Sequence, residues 1–301
     1  MSYLVNPYMV VAGAGADGLM TYGGRNALQD NGSDQCETYD LTTWTTQNVM
    51  TQRLNGFAGN GTPTDALAIC GNNDTISEGF WTGTILWDGT NWATSYSVSG
   101  YGRRNNYGGG QSSSGMTFAG TTGSGASTIE NYAKSSETFN GSSWSSGTDY
   151  TTNIREGNSG GKTSEDQIGM NGLTSGGLSA VCSRWDNVSW TSAGTVPYVN
   201  RNVGADSNDD CSEACSFGGY TNEEYAATLD DTTWTQENDL DTPVNYPSVM
   251  YLDSSNMWAW GGIAAGGYDN GGQYLDGSGG TWATATGSLN TAQGYGNGCS
   301  S

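Results

Sequence analysis

The segment Trp87-Asp88-Gly89-Thr90-Asn91-Trp92 contains the pattern that decides the fold: a large apolar residue, an Asp or Asn, a short turn and a Trp. The same pattern recurs along the whole chain, and its last occurrence carries a two-residue insertion. The Trp residues that end it are spaced by about 48 residues, which is the period of a β-propeller blade. These residues are Trp44, Trp92, Trp144, Trp190, Trp234 and Trp282.

Each repeat also predicts four strands. A short apolar run that ends in small residues lies upstream of the hairpin, as in residues 66–71 and 257–262. A glycine-rich stretch such as residues 55–59 precedes that run and suits the crowded centre of a ring, where backbones approach closely. The hairpin supplies the two outer strands, and its Trp is expected to fill the space between blades.

The repeats predict a single all-β domain, a six-bladed β-propeller with four-stranded blades over residues 1–301. No helical periodicity occurs in the sequence. The blades are predicted at residues 8–46, 52–94, 103–146, 154–192, 200–236 and 245–284, with 285–301 as a ring-closing or partner-binding strand.

Paired glycines such as Gly261-Gly262, an aromatic residue and the hairpin to Trp resemble the kelch repeat over roughly residues 8–285. Hairpins such as residues 88–92 are similar to those of kelch-like repeats in phage tail-fibre and other virion proteins, notably marine ones. Two repeats depart from the pattern, with Gly71-Asn72 and Ala119-Gly120 in place of the glycine pair. The resemblance implies a propeller without specifying a function.

The composition excludes several classes of function. The 301-residue chain has a net charge of −21, 48 Gly and no His. Without His there is no Ser-His-Asp triad, and the resemblance to galactose-oxidase-like kelch enzymes cannot extend to their copper site, which His and Tyr hold. The charge argues against nucleic acid, and no stretch approaches the ~18 apolar residues of a membrane span. We therefore expect a protein that is not an enzyme.

A carbohydrate-active hydrolase is kept as an alternative. The last hairpin, residues 276–282, resembles the Asp box of sialidases, although its spacing from Asp to Trp differs. An Asp box is a structural turn, and the sequence does not locate the paired carboxylates that a glycoside hydrolase needs.

The N-terminal residues have no basic region and no apolar stretch of the kind found in a secretory signal. The remainder, rich in Gly, Ser, Thr and Asn, has an extracellular character. A virion protein, made in a host cytoplasm and released by lysis, reconciles the two observations. Buried free thiols are the favoured state of the six cysteines, with disulfides as the alternative and Cys299 a candidate partner for Cys36 or Cys70.

Two segments compete for the innermost strand of blade 1. Residues 8–13 have the pattern of such a strand, and so do residues 289–299 near the other end of the chain. A ring has room for one of them. The other segment either packs outside the ring or pairs with a neighbouring subunit.

The connections on one face of the predicted ring are long, varied and rich in aromatic residues. Flat aromatic rings with polar rims suit stacking against sugars, whereas ordinary packing of the loops is the alternative. The candidate ligand-binding residues in these loops are Trp81, Tyr132, Tyr225 and Tyr268.

Arg53, Arg104, Arg155 and Arg201 are each expected just before the innermost strand of a blade. In a propeller this phase predicts a partial ring of guanidinium groups around the central opening, which would bind anionic groups of acidic glycans. The alternative is that they form ion pairs between blades with the abundant Asp and Glu.

Residues 206–210 begin like a calcium-binding loop, with Asp, Asn and Asp in alternation, but lack the following Gly and the distal Glu. Residues 30–34 match the pattern less well. We expect no cofactor, with calcium as the one candidate ion and solvated acidic loops as the alternative.

These patterns favour a non-enzymatic virion surface protein, a tail-fibre or host-attachment module that binds surface glycan through its loops. The first alternative is an architectural head or tail decoration protein whose contacts are with proteins only, and the second is the hydrolase. The expected partners are other virion proteins in a multi-copy assembly and a host cell-surface glycan.

Overall fold

Six antiparallel sheets form a closed ring in the computed structural model, which describes residues 18–26, 32–73, 80–123, 131–220, 224–276, 280–294 and 297–300. Each sheet has four strands, named A to D from the centre of the ring outward. The A strands of neighbouring blades contact one another all the way round. No helix occurs among the described residues, so the predicted all-β, six-bladed propeller is confirmed.

Blade 1 takes its A strand from the C-terminal end of the chain, whereas blades 2 and 3 run through A to D in sequence order. The strands of blades 1, 2 and 3, from A to D, are Asn297–Ser300, Leu19–Tyr22, Cys36–Tyr39, Trp44–Thr46; Ala58–Thr62, Asp65–Ile69, Gly83–Trp87, Trp92–Ser97; and Tyr107–Gln111, Ser114–Phe118, Ser136–Phe139, Trp144–Ser146.

Blade 4 differs from the others because its B, C and D strands have 9, 10 and 11 residues. A tight turn at residues 175–176 replaces the long B–C connection of the other blades. The strands of blades 4, 5 and 6, from A to D, are Asn158–Gly160, Asp166–Thr174, Gly177–Asp186, Trp190–Asn200; Gly204–Ser207, Glu213–Phe217, Ala226–Asp230, Thr233–Gln236; and Ser248–Asp253, Asn256–Trp260, Gly272–Asp276, Trp282–Thr284.

The C-terminal strand Asn297–Ser300 closes the ring. It pairs antiparallel with Leu19–Tyr22, so that Leu19 lies opposite Ser300. It also lies between the A strands of blades 2 and 6. Of the two segments that compete in the sequence, the C-terminal one therefore occupies the inner position, whereas residues 8–13 lie outside the described residues.

Glycine in the A strands permits this close approach. A Cβ atom on Gly109 of blade 3 would overlap the backbone and Cβ of Asn60 in the A strand of blade 2. The same holds between Gly160 of blade 4 and Ser207 of blade 5. Neighbouring A strands are thus close enough that only glycine fits at these positions.

The repeated Trp at the start of each D strand packs against the preceding blade. Trp44 stacks on Tyr39 and meets the edge of Trp260 in blade 6, and Trp92 contacts Tyr22 in blade 1. In the other blades, the indole N–H donates a hydrogen bond to the preceding blade or to the loop that leaves it. These bonds are Trp144 to Thr84 Oγ1, Trp190 to Thr148 O, Trp234 to Ala193 O and Trp282 to Asn238 O.

A buried side chain at one position of strand C holds the D–A connection of the preceding blade. Glu37 accepts hydrogen bonds from the backbone N–H groups of Asn290 and Thr291, at 2.7 and 2.9 Å. Glu137, at the equivalent position in blade 3, accepts from the backbone of Ser99 at 2.6 Å. The guanidinium of Arg103 lies 3.6 Å from Glu137 as well. The carboxylate of Glu37 therefore holds the segment that leads into the closing strand of blade 1. We call such a contact, between a carboxylate of strand C and the preceding D–A connection, a latch.

Candidate functional site

The B–C and D–A connections lie together at one end of the ring, which we call the loop face. Short strand pairs tie them to each other, as between Leu54–Asn55 and Asn72–Asn73 and between Arg103–Arg104 and Thr121–Thr122. Isolated bridges do the same between Arg155 and Leu173 in blade 4 and between Asn245 and Ile263 in blade 6. The loop face is therefore a connected surface and not a set of independent loops.

Five residues, one from each of blades 2 to 6, form a collar around the central axis at this face. From blade 3 onward, each donates its backbone N–H to the carbonyl oxygen of its counterpart in the preceding blade, over N···O distances of 2.5–3.2 Å. All of them have a left-handed backbone conformation. In blades 2 to 6 the collar residues are Gly56, Asn105, Glu156, Asn202 and Tyr246.

The collar carries two residues that this conformation disfavours. Gly and Asn adopt a positive φ at low cost, but Glu156 and Tyr246 have φ values of 59° and 57° with large side chains. Left-handed backbone at such residues costs of order 1–3 kcal/mol and tends to occur at functional sites.

Glu156 is held between two arginines from different blades. Its Oε1 lies 3.3 Å from Nε of Arg155, and its Oε2 accepts a 2.7 Å hydrogen bond from Arg201. Arg201 belongs to the connection between blades 4 and 5, so its ion pair with Glu156 joins two blades. Ion pairs of this kind are the alternative that the sequence offers for these arginines. The carboxylate thus orients both guanidinium groups at the rim of the central opening.

Three arginines of the loop face lie over aromatic rings. Each guanidinium carbon is 4.2–5.0 Å from a ring centroid, within the range of a cation–π contact. The ring is always supplied by a B–C connection. The pairs are Arg104 with Phe80, Arg155 with Tyr132, and Arg201 with Tyr220.

Arg53 lies outside this set. The pairing of the short strands makes Asn55 the counterpart of Arg104, which places Arg53 two residues too early in the repeat. Its side chain is half exposed and lies 3.6 Å from Asp34. Arg53 therefore does not share the position of the other three, and the predicted set of four arginines is corrected to three. Arg53 lies nine residues after its repeat Trp, whereas Arg155 and Arg201 lie eleven residues after theirs.

Two of the predicted aromatic residues pack inward. Trp81 packs against the core cluster around Tyr22 and Trp87, with its ring beside Gly83. Tyr225 stacks on Tyr198 at 4.6 Å within the core of blades 4 and 5. Both residues thus follow the alternative of loop packing.

The residue that faces Arg104 is Phe80, whereas the sequence predicts its neighbour Trp81 as the binding residue. Nothing in the sequence shows which of two adjacent aromatic side chains points outward. The shared phase of Arg104, Arg155 and Arg201 was the available signal, since each needs a ring partner from a B–C connection. Tyr268, the remaining predicted residue, is half-buried on the small hairpin strand Gly267–Tyr268 of blade 6.

The acidic groups of residues 206–210 face separate partners. Asp206 Oδ2 accepts a hydrogen bond from the backbone N–H of Tyr251, and Asp210 Oδ1 accepts from Ser212. Asp209 pairs with Lys162 at 2.9 Å. Among the described residues, no group of three or more acidic or cysteine side chains is arranged to hold a metal ion. Residues 30 and 31 of the weaker calcium motif lie outside the description.

The cysteines whose side chains are described, Cys36, Cys70, Cys182, Cys211 and Cys215, are buried free thiols. Burial raises their pKa values, to about 12 for Cys36. The side chain of Cys299 lies outside the description. Across the described part of the chain, no helix has the length and apolar character that crossing a membrane requires.

The protein is thus a six-bladed β-propeller whose loop face carries three arginines that lie over aromatic rings. No protein-family model and no curated protein sequence matches the chain. A solved structure does: it is described as the structure of YjhT, is 11% identical, covers 84% of this chain and 91% of its own, and superimposes with a TM-score of 0.65. At this identity, the similarity shows the shared six-bladed fold alone.

Proposed function

We propose that this chain is a kelch-like propeller of a phage virion surface, a tail-fibre or host-attachment module that binds glycan at its loop face without catalysing a reaction. The observation that carries the proposal is the set of three arginine–aromatic pairs around the central opening. The virion setting rests on the resemblance of the hairpins to those of phage virion proteins. The pairs supply the two kinds of contact that a sugar needs.

Aromatic rings and guanidinium groups recognise different parts of a sugar. The ring of Tyr220 is 53% exposed and offers an apolar face to the C–H groups of a pyranose. Arg201 beside it is fixed by Glu156 and offers N–H donors to hydroxyl or carboxylate oxygens. Because each arginine is stacked on its ring, little side-chain freedom is lost on binding.

The distribution of charge supports the same face. The protein carries a net charge of −21, yet every arginine except Arg184 lies in the connections of the loop face. Positive groups in an otherwise acidic protein raise the local potential where they cluster. Arg104, Arg155 and Arg201 are therefore the groups of this face that meet an acidic group of a glycan directly.

The composition of the opening supports binding without catalysis. A cavity of about 40 Å³ lies at the collar, and Glu156 is the one carboxylate among the described residues that line it. A glycoside hydrolase uses two carboxyl groups across the scissile bond. Glu156, moreover, is already engaged by Arg155 and Arg201.

A glycan array tests the proposal. We expect the protein to bind bacterial surface polysaccharides on the array, and Phe80→Ala and Tyr220→Ala to weaken that binding at least about 10-fold, as is typical for aromatic hot spots. Val188→Ala is the control, because Val188 is 75% exposed in the C–D hairpin of blade 4, at the opposite end of the ring from the loop face. Absence of any binding contradicts the proposal and favours the architectural role.

The virion setting needs its own measurement. Quantitative mass spectrometry of particles that contain the chain gives its copy number. A few copies per particle are expected for an attachment module at a tail tip. Hundreds of copies would indicate a decoration protein of a shell, and absence of the chain from particles would remove the virion setting altogether.

A further inference from the structure

Two of the three arginine–aromatic pairs are joined through one carboxylate. Glu156 contacts Arg155 on one side, at 3.3 Å, and Arg201 on the other, at 2.7 Å. Arg155 lies in turn over the ring of Tyr132, and Arg201 lies over the ring of Tyr220. These contacts form a continuous series of five side chains that runs from blade 3 to blade 5, which we call the tyrosine row.

The short B–C connection of blade 4 leaves the tyrosine row accessible. Residues 175–176 alone join strands B and C of this blade, whereas residues 123–130 lie between the equivalent strand pairs of blade 3. A Cβ atom on Gly177 would meet no described atom within 4 Å. Because Arg155 bridges to Leu173 of the same hairpin, the row borders this open side of the loop face.

The dimensions of the central opening show how a glycan lies on this face. The cavity at the collar has a volume of about 40 Å³, which holds a few water molecules. Ligand pockets have volumes of ~300–1,000 Å³, so a sugar ring does not enter the axis. The ring of Tyr220 is 53% exposed, and the side chain of Arg201 beside it is 24% exposed. A glycan therefore lies across the collar, on the row.

The order of groups in the tyrosine row fits two sugar units. Two guanidinium groups and the carboxylate of Glu156 separate the rings of Tyr132 and Tyr220, so that one pyranose does not cover both rings. Each ring offers an apolar face to the C–H groups of one sugar. The adjacent guanidinium donates to the oxygens of that sugar. By contacting both guanidinium groups, Glu156 fixes the distance between the two halves before a ligand binds.

We propose that the tyrosine row is one subsite for two consecutive sugar units of a glycan chain, and that Glu156 is the residue that positions its two halves. This inference rests on the proposed glycan function and specifies its smallest full ligand, a disaccharide. The pair of Arg104 and Phe80 lies one blade earlier, and it contacts longer chains only.

Fragments of one to six sugars, prepared from the array polysaccharides, are the probes, and titration calorimetry measures their affinities. We expect a disaccharide to bind at least about 10-fold more tightly than a monosaccharide, as for an added aromatic hot spot. Tyr132→Ala abolishes this gain and leaves the monosaccharide bound at Tyr220. Phe80→Ala is the matched control, for which we expect an unchanged disaccharide affinity. Thermal unfolding shows whether each variant keeps its fold.

Glu156→Gln tests the positioning role, because glutamine keeps the shape of the side chain and removes the charge between the two arginines. We expect disaccharide affinity to fall about 10-fold and monosaccharide affinity to stay the same, a split that a general loss of stability does not produce. An equal loss for both probes overturns the positioning role.

The length dependence decides the rest of the inference. Equal affinities for the monosaccharide and the disaccharide overturn the two-sugar subsite, and so does a gain that survives Tyr132→Ala. In both cases the glycan function stands. If the wild-type protein binds no glycan, both the subsite and the proposed function fall.

Discussion

At the scale of single residues, three aspartates of the C–D hairpins cap their own turns. Oδ1 of Asp40, Asp88 and Asp186 each accepts two backbone N–H groups of the following residues, at 2.7–3.0 Å. These bonds lower the pKa of Asp88 and Asp186. For Asp40, the hydroxyl of Thr42, which donates at 2.6 Å, and the two backbone bonds together lower the pKa to about 2. Asn140 makes the same bonds in blade 3 with a neutral side chain. The repeat thus contains its own uncharged control.

A lowered pKa predicts a loss of stability in acid. The stabilisation from ionised aspartate is complete above its ordinary pKa of ~4 and disappears as pH falls through the folded value of about 2. In the variant with Asp40→Asn, Asp88→Asn and Asp186→Asn, this contribution is absent at every pH. We expect the Tm of the wild type to fall relative to that variant between pH 4 and pH 2. A Tm difference that stays constant over this range contradicts the account.

The carboxylates of Glu37 and Glu137 predict losses of different size on neutralisation. Burial raises the pKa of Glu37 against the opposing effect of its hydrogen bonds, so the folded state favours the protonated form and loses stability as pH rises through that pKa. Glu137 has Arg103 beside it, and both are at most 4% exposed.

We therefore expect Glu37→Gln to change the free energy of unfolding at pH 7 by no more than about 1 kcal/mol. Glu137→Gln leaves Arg103 buried without its carboxylate, and we expect it to cost about 3 kcal/mol. Urea unfolding of both variants measures the difference. Equal losses would mean that the arginine plays no part in the blade 3 latch.

At the scale of elements, the closing strand is the one piece of a blade that is distant in sequence from the rest. Blade 1 has its other three strands within residues 19–46. Tyr39 Oη donates to the carbonyl of Thr286, which adds a second tie to the C-terminal segment. Ring stability should therefore depend on the last residues of the chain.

A chain ended at Ser288 tests this dependence. The truncation removes the closing strand and the backbone donors to Glu37. It exposes the edge of strand B in blade 1 and uncovers the A strands of blades 2 and 6. We expect the cooperative thermal transition of the full chain to be lost. The control is a chain that begins at Gly18, for which we expect a retained transition because blade 1 keeps all four strands. The reverse outcome would mean that residues 8–13 form the inner strand.

The sequence predicted strands B, C and D well because the Asp-turn-Trp pattern marks one fixed point in every blade. It left the inner strand of blade 1 open because both chain ends carry residues compatible with it. The loop face was harder to predict, because its B–C connections vary in length and carry no common spacing. Phe80 was missed beside Trp81 because the sequence does not show which ring points outward. Arg53 was grouped with the other arginines although it follows its repeat Trp by nine residues and not by eleven or twelve.

At the scale of the whole molecule, the ring separates two kinds of surface. The loop face gathers the arginines and their aromatic partners, whereas the C–D hairpins at the outer end of each blade carry exposed aspartates such as Asp40 and Asp88. The repeated C–D hairpins build the ring, and the variable connections build the loop face. The proposed function depends on those connections, about which a fold similarity at 11% identity gives no information.

A crystal structure of the protein with the array glycan that binds most tightly tests the central claim most directly. The account predicts density for a sugar on the loop face, with its ring against Tyr220 and its polar groups within hydrogen-bond distance of Arg201. Density at the outer strands or at the opposite end of the ring, with the collar unchanged, would contradict it.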